Sequence, residues 1–221
     1  MICYPNAKIN LGLKVLSKRT DGFHNIRSFF YPISLHDILE VQIDDKLPCN
    51  KVSYSGLQFP NVKDDLVIKA YNLLNSDFEL LPVRIHLHKN IPYGSGMGGG
   101  SSDATFMLVV LNDLFKLNLT HENLIKYAKL LGSDCPFFLF NTCSHVSGTG
   151  DLVHPINYTL KNYYIVIIKP DFICSTSHIF SRLKIKENNS PFFLGDSDLL
   201  DLDDLKNDLE SVAFSLYPQL K

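Results

Sequence analysis

Read for its apolar positions, the chain predicts strands ahead of helices. Ile9, Leu11, Leu13 and Val15 alternate with Asn10, Gly12 and Lys14, the period of two that buries one face of a strand. A second strand is expected over 38–43 and a third over 83–87, where Val83, Ile85 and Leu87 alternate with Arg84, His86 and His88. Between them, Asp64 and Asp65 precede an amphipathic stretch over 66–74, the signature of an N-capped helix. Helical spacing returns from about 102 to 115, and again from Thr120, a capping residue, to Gly132, a stop. An apolar segment follows at 136–140, and Gly148-Thr-Gly-Asp151 predicts a turn between two short strands. Residues 163–168 form a continuous apolar run ended by Pro170, the pattern of a fully buried strand, and are expected to open a second domain. Beyond it, 184–189 and 195–204 are polar, and 205–216 is again helical in spacing.

Composition narrows the function classes. Of 221 residues, 45% are hydrophobic and 20% charged, which is ordinary for a globular protein with a core that needs no staples. A net charge of −2 gives no reason to expect nucleic acid or an anionic membrane as partner. The five cysteines are odd in number and form no CxxC pair, which argues against a disulfide framework or zinc knuckle and points to a reducing cytoplasm. The N-terminus lacks a basic region followed by an apolar run, and no uncharged stretch approaches bilayer length, so an exported or membrane-bound protein is not expected.

Against this background one segment stands out: Ile91-Pro-Tyr-Gly-Ser-Gly-Met-Gly-Gly-Gly-Ser-Ser-Asp-Ala104 places five glycines in seven positions and runs directly into a helical pattern. Glycine at this density costs backbone entropy, so it is kept where φ is positive or where a ligand touches the main chain. The unpaired N–H groups and dipole of the following helix attract anions, phosphate first among them. Gly94, Gly96 and Gly99 satisfy the GxGxxG pattern of dinucleotide-binding domains, but that fold needs a second strand where 120–132 reads as a helix. The Walker A pattern fails as well, because Gly100 stands where its lysine belongs. Any lysine that serves the phosphates must come from elsewhere in the chain.

Taken singly, the other chemical candidates have bland explanations. Lys8, just ahead of the first strand, reads as a solvated lysine at a strand edge. Asp134, before Cys135-Pro136, reads as a helix cap, since an Asp ahead of a Pro-started helix is what capping predicts. His24 follows an Asp21-Gly22 turn signal and is one of eight histidines.

Together these blocks carry more. Pro5-Asn-Ala-Lys-Ile-Asn-Leu-Gly12, Asp21-Gly-Phe-His24, the glycine segment and Leu131-Gly-Ser-Asp-Cys-Pro-Phe-Phe138 occur in the order of the GHMP kinase superfamily. Within it they most resemble the kinases of 4-diphosphocytidyl-2-C-methyl-D-erythritol in the non-mevalonate isoprenoid pathway. The resemblance implies an α+β, two-domain GHMP kinase fold: an N-terminal domain like the second domain of ribosomal protein S5, over 1–158, and a ferredoxin-like C-terminal domain, over 159–221. The latter is incomplete, because relatives continue past the Asn207-Asp-Leu-Glu210 block into a further glycine-rich motif and closing strands. A fragment or a shortened enzyme is the expectation.

The same resemblance implies an ATP-dependent phosphotransferase with a small-molecule alcohol substrate. Lys8 and Asp134 would be the catalytic pair, Asp134 taking the proton of the attacking C2 hydroxyl and Lys8 stabilising charge on the γ-phosphoryl. Pro92, Tyr93, Gly94, Ser95, Gly96, Met97, Gly98, Gly99, Gly100, Ser101 and Ser102 would wrap the ATP phosphates. Mg2+ would accompany the nucleotide, with Asp103 left unassigned and no metal ligand named. His24 would read the cytosine edge between Phe23, where relatives often carry Tyr, and Phe180, with Asn10 and Thr176 lining the substrate side. Smaller departures are Asn6 for a common Pro and Thr105 for a usual Ala. A different GHMP kinase, or a non-catalytic ATP-binding fragment, remains open at this point.

Overall fold

The structure is a computed structural model and describes residues 1–58, 65–172, 174–185 and 205–221. In chain order the strands are β1 (Ile2–Cys3), β2 (Asn6–Lys18), β3 (His24–His36), β4 (Ile38–Ile43), β5 (Lys51–Gly56), β6 (Val83–Lys89), β7 (Ser144–Ser147) and β8 (Leu152–Pro155). The helices are α1 (Leu66–Phe78), α2 (Gly99–Leu114), α3 (His121–Leu131), α4 (Cys135–Phe140), α5 (Thr176–Arg182) and α6 (Glu210–Leu216). The chain forms two compact units, each assembled from separated stretches: Met1–Lys8, Pro32–Tyr93 and Met97–Asn141 in one, and Ile9–Tyr31, Gly94–Gly96 and Thr142–Lys221 in the other.

In the first unit a sheet of order β1-β4-β6-β5 covers a helical layer. β4 runs antiparallel to β6, pairing Leu39 with Leu87 and Val41 with Ile85, and β5 runs parallel to β6 along its other edge. Strand alternation puts Val83, Ile85 and Leu87 inward, against Val67, Ala70, Tyr71 and Leu74 of α1 and Met107, Leu108 and Leu111 of α2. The α1 stripe has the i, i+3, i+4, i+7 spacing of a helix with one buried face, and each large side chain buried there contributes about 1.5–3 kcal/mol. Asp65 caps α1 as expected, accepting a hydrogen bond from the Val67 N–H at 2.9 Å, while Asp64 lies outside the described residues. Thr120 caps α3 and Gly132 closes it.

Three strands of the sheets were not legible in the sequence, the first being β1, which is only Ile2–Cys3. β3 buries Phe29 and Phe30 in succession and contains Pro32, which breaks the alternating pattern, and β5 is a mostly polar edge strand.

The second unit holds a sheet of order β2-β3-β7-β8, with the β7–β8 hairpin turning at 148–151 as expected. Its apolar cluster gathers Leu13, Val15 and Ile26 with Phe180, Leu183, Ile185 and Leu209. Three expectations fail here or fall elsewhere. The helix expected over 205–216 starts only at Glu210, because the preceding backbone is drawn onto β2: Leu13 N–H donates to the Lys206 carbonyl at 3.0 Å, Asp208 N–H to the Leu13 carbonyl at 2.8 Å, and Val15 N–H to Asp208 Oδ2 at 2.8 Å. Residues 163–168 form no strand and are not buried, Tyr164, Val166 and Ile168 being 99%, 81% and 88% exposed. Apolar side chains favour a buried strand only where a neighbouring strand supplies the ladder, and none of the described residues does so for this run. The polar stretches at 186–189 and 195–204 lie outside the described residues. No helix among the described residues is long and apolar enough to cross a membrane.

Candidate active site

The glycine segment forms a tight loop between β6 and α2. Gly94, Gly96 and Gly98 have φ of 67°, 73° and 71°, while Ser95 and Met97 between them do not enter the left-handed region. Such alternation turns successive N–H groups toward one side, the arrangement of anion-binding backbone concavities. α2 begins at Gly99, three residues earlier than its spacing suggested, so Gly99, Gly100, Ser101 and Ser102 belong to the first turn. Two of the glycines are closely packed where a side chain would stand. A Cβ on Gly98 would lie 3.0 Å from Phe138 Cζ and 3.2 Å from Lys8 Cγ, and one on Gly99 would lie 2.9 Å from Ile91 Cγ2.

Lys8 is not a solvated strand-edge residue. It is only 4% exposed, its N–H donates to the Met97 carbonyl at 2.9 Å, and its Nζ stands 3.3 Å from Asp134 Oδ2. Asp134 occupies the N-cap position of α4 but makes no capping hydrogen bond; its carboxylate faces Lys8 instead. The two residues with bland separate readings are thus partners, 126 positions apart in sequence (134 less 8). α4 is anchored to α2 beside them: the Thr105 hydroxyl lies 2.8 Å from the Ser101 carbonyl and 2.9 Å from that of Cys135. Burial pushes the Cys135 thiol up to about 11, so it stays protonated and offers no nucleophile to the site.

Beneath the loop is a charged cluster that composition and motif did not reveal. Lys89 Nζ contacts Asp37 Oδ2 and, at 2.6 Å, Asp103 Oδ2, all three residues being buried. Asp37 Oδ1 accepts the N–H groups of Asn90 and Ile91 at 2.5 and 2.8 Å. Burial alone would lower the Lys89 ammonium, and the carboxylates of Asp103 and Asp37 more than reverse this and raise it. Burial pushes the Asp103 carboxyl well above the ordinary carboxylate range, Lys89 offsetting it only in part. That direction is physically sensible: one ammonium cannot balance two carboxylates, and Asp103 Oδ1 lacks a hydrogen-bond partner where Asp37 Oδ1 has two. A signal was present in the sequence, since position 89 shares strand parity with the inward residues 83, 85 and 87.

The residues expected on the substrate side lie in the second unit. His24 opens β3 immediately after a turn in which Asp21 pairs with Arg19 at 2.8 Å and accepts the Phe23 N–H at 3.1 Å. That turn leaves the Phe23 ring 61% exposed. The His24 imidazole stacks on Phe180 of α5, with ring centroids 4.9 Å apart and planes 29° from parallel. Burial lowers the pKa of His24 and the nearby Lys18 charge adds to this, so the neutral ring is favoured. Thr176 is the exposed first residue of α5, which Ser175 caps, and Asn10 lies half-buried on β2.

Comparison with known proteins places the chain in a family. The GHMP kinase N-terminal domain matches residues 65–142, which hold the glycine loop and Asp134. The 4-diphosphocytidyl-2-C-methyl-D-erythritol kinase of Bacteroides thetaiotaomicron is 48% identical over 83% of this chain and 68% of its own length. That of Azobacteroides pseudotrichonymphae is 42% identical over all of this chain and 83% of its own. The chain belongs to this kinase family. Its members are phosphotransferases with an alcohol group as acceptor. A crystal structure of 4-(cytidine 5'-diphospho)-2C-methyl-D-erythritol kinase, 30% identical, superposes with a TM-score of 0.76 over the whole of this chain and 80% of that one. A crystal structure of mevalonate kinase, 10% identical with a TM-score of 0.53, shares the fold. The α+β GHMP kinase fold with its two sheets therefore stands as the sequence implied.

Proposed function

We propose that this chain transfers the γ-phosphoryl group of ATP to the C2 hydroxyl of 4-diphosphocytidyl-2-C-methyl-D-erythritol, a step of the non-mevalonate route to isoprenoid precursors, in the cytoplasm. The observation that carries the reading is the Lys8–Asp134 pair, held against the glycine loop by the Lys8 N–H to Met97 carbonyl bond. Phosphoryl transfer asks a protein for positioned charge and for a base that receives the proton of the attacking hydroxyl. On this reading Asp134, which makes no capping hydrogen bond, is that base, and the Lys8 ammonium stabilises charge on the transferred group. Pro92 to Ser102 supply main-chain donors and the α2 N-terminus for the nucleotide phosphates.

His24, in its neutral state, has one ring donor and one ring acceptor, matching the hydrogen-bonding edge of cytosine. Phe23 and Phe180 offer the stacking faces, and Asn10 and Thr176 further contacts. On this reading residues 1–158 serve ATP and 159–221 contribute to the substrate domain.

Mg2+ would enter with ATP and would supply positive charge against its phosphates. The residues present suit a nucleotide-borne ion better than a protein cage. Among the described residues no group of three or more His, Cys, Asp or Glu is placed to hold a metal, and Asp103 is committed to Lys89. Among the described residues Ser102 Oγ, like Asp103 Oδ1, is buried without a hydrogen-bond partner, and of the two only Ser102 belongs to the nucleotide segment named above.

The test is a coupled ADP-release assay on the chain with Mg-ATP, with and without 4-diphosphocytidyl-2-C-methyl-D-erythritol. Release that depends on this substrate, and that free cytidine inhibits, supports the reading. ATP binding without any turnover would leave only a nucleotide-binding module, and turnover with a different alcohol would move the chain to another GHMP kinase activity.

A further inference from the structure

Lys89 is the last residue of β6 and lies on its inward row, where a charged side chain is tolerated only if its partners are buried with it. Those partners have an instructive placement. Asp37 reaches Lys89 with one oxygen and with the other takes the N–H groups of Asn90 and Ile91, the two residues that lead into the glycine loop. Asp103 reaches the same ammonium from the second turn of α2, the helix into which the loop runs. The loop's start and its end are therefore both tied to one Nζ. Packing repeats the arrangement, because Gly99 fits so closely over Ile91 that a Cβ would lie 2.9 Å from Ile91 Cγ2 and 3.6 Å from Lys89 Nζ.

We propose that Lys89, with Asp37 and Asp103, is a positioning group that staples the two ends of the glycine loop, so that the loop keeps its phosphate-cradling shape before nucleotide arrives. The proposal rests on the phosphotransfer reading above and adds residues that touch neither ATP nor substrate. A glycine-rich loop without such a tie samples many backbone states, and each must be given up when a ligand binds. Stapling its ends moves that cost into folding. The consequence is selective: loosening the staple weakens use of ATP and leaves recognition of the cytidyl substrate alone.

Removing Lys89 itself would strand two buried carboxylates and risks the fold, so the informative variant is Asp103→Ala, which frees the helix end and leaves Lys89 paired with Asp37. Asp103→Asn, which keeps an oxygen facing the ammonium, is its conservative control. Hydrogen exchange is followed in the free proteins, and KM is measured for both substrates. In Asp103→Ala, amides of 93–98 should exchange at least about tenfold faster with those of α1 unchanged, and KM for ATP should rise about tenfold with that for the cytidyl substrate within about twofold. Asp103→Asn should recover most of both effects. Unchanged exchange in the loop, or an acceleration shared equally by α1, would overturn the staple and leave the cluster as core structure alone. If the wild-type chain shows no substrate-dependent ADP release, the phosphotransfer reading fails, while the exchange pattern still decides whether the loop is stapled.

Discussion

Asp134 and Lys8 illustrate how little a residue says about its role until its partner is known. Each has a sufficient local explanation, and each explanation is set aside by one distance, 3.3 Å between Nζ and Oδ2. Asp134→Asn keeps the volume and removes the base. Its kcat should fall at least about a hundredfold, with the affinity for ATP, read by calorimetry, within about threefold of wild type. An unchanged kcat would refute the assignment. His24→Ala should raise KM for the cytidyl substrate about tenfold or more and leave KM for ATP nearly unchanged, because the proposed role of His24 concerns cytosine and not the nucleotide phosphates. The pH dependence has a definite sign. Since the pKa of His24 lies below the ordinary imidazole value, the neutral ring persists through neutral pH, and KM for the cytidyl substrate should climb only on acidification past that ordinary value. A flat profile would remove the imidazole from base recognition.

Gly98 and the helix α4 are packed closely together. Gly98 combines a φ of 71° with a Cβ position 3.0 Å from Phe138 Cζ, so Gly98→Ala is strained in backbone and in packing at once. A cost of about 1–3 kcal/mol is expected in denaturant unfolding, together with a rise in KM for ATP. Thr105→Val removes the hydroxyl that meets the Cys135 carbonyl and should cost about 1 kcal/mol. If α4 thereby loosens, kcat should fall more than either KM changes, because Asp134 sits at its head. Element prediction succeeded where local chemistry was decisive. Asp65 and Thr120 mark helix starts through their own side chains, and the alternation in β6 marks its buried face. It failed where a distant segment intervened: residues 205–209 have helical spacing, yet the Lys206 carbonyl and Asp208 N–H are engaged by Leu13 and the Asp208 carboxylate by the Val15 N–H.

At the scale of the whole molecule the exposed apolar run at 163–168 is the main departure from the expected core. Six successive large apolar or aromatic side chains in water, from Tyr163 at 64% exposed to Ile168 at 88%, form the kind of patch that promotes association. Replacing both Val166 and Ile168 by Lys should lower concentration-dependent light scattering and leave kcat and both KM values within about twofold. Scattering that is unchanged by the double substitution would show that the run is covered in solution.

What the sequence determined by itself resides in a few adjacent residues: the glycine-rich loop, the helix caps, the alternating strands and, through the order of its motif blocks, the kinase family. Tertiary structure decided everything that depends on meeting across the chain. Lys8 met Asp134, Lys89 was found between Asp37 and Asp103, and His24 came to rest on Phe180. The physical reason is that a hydrogen bond or an ion pair is set by distances of a few ångströms, and sequence separation carries no record of which distant groups the packing of apolar faces will bring that close.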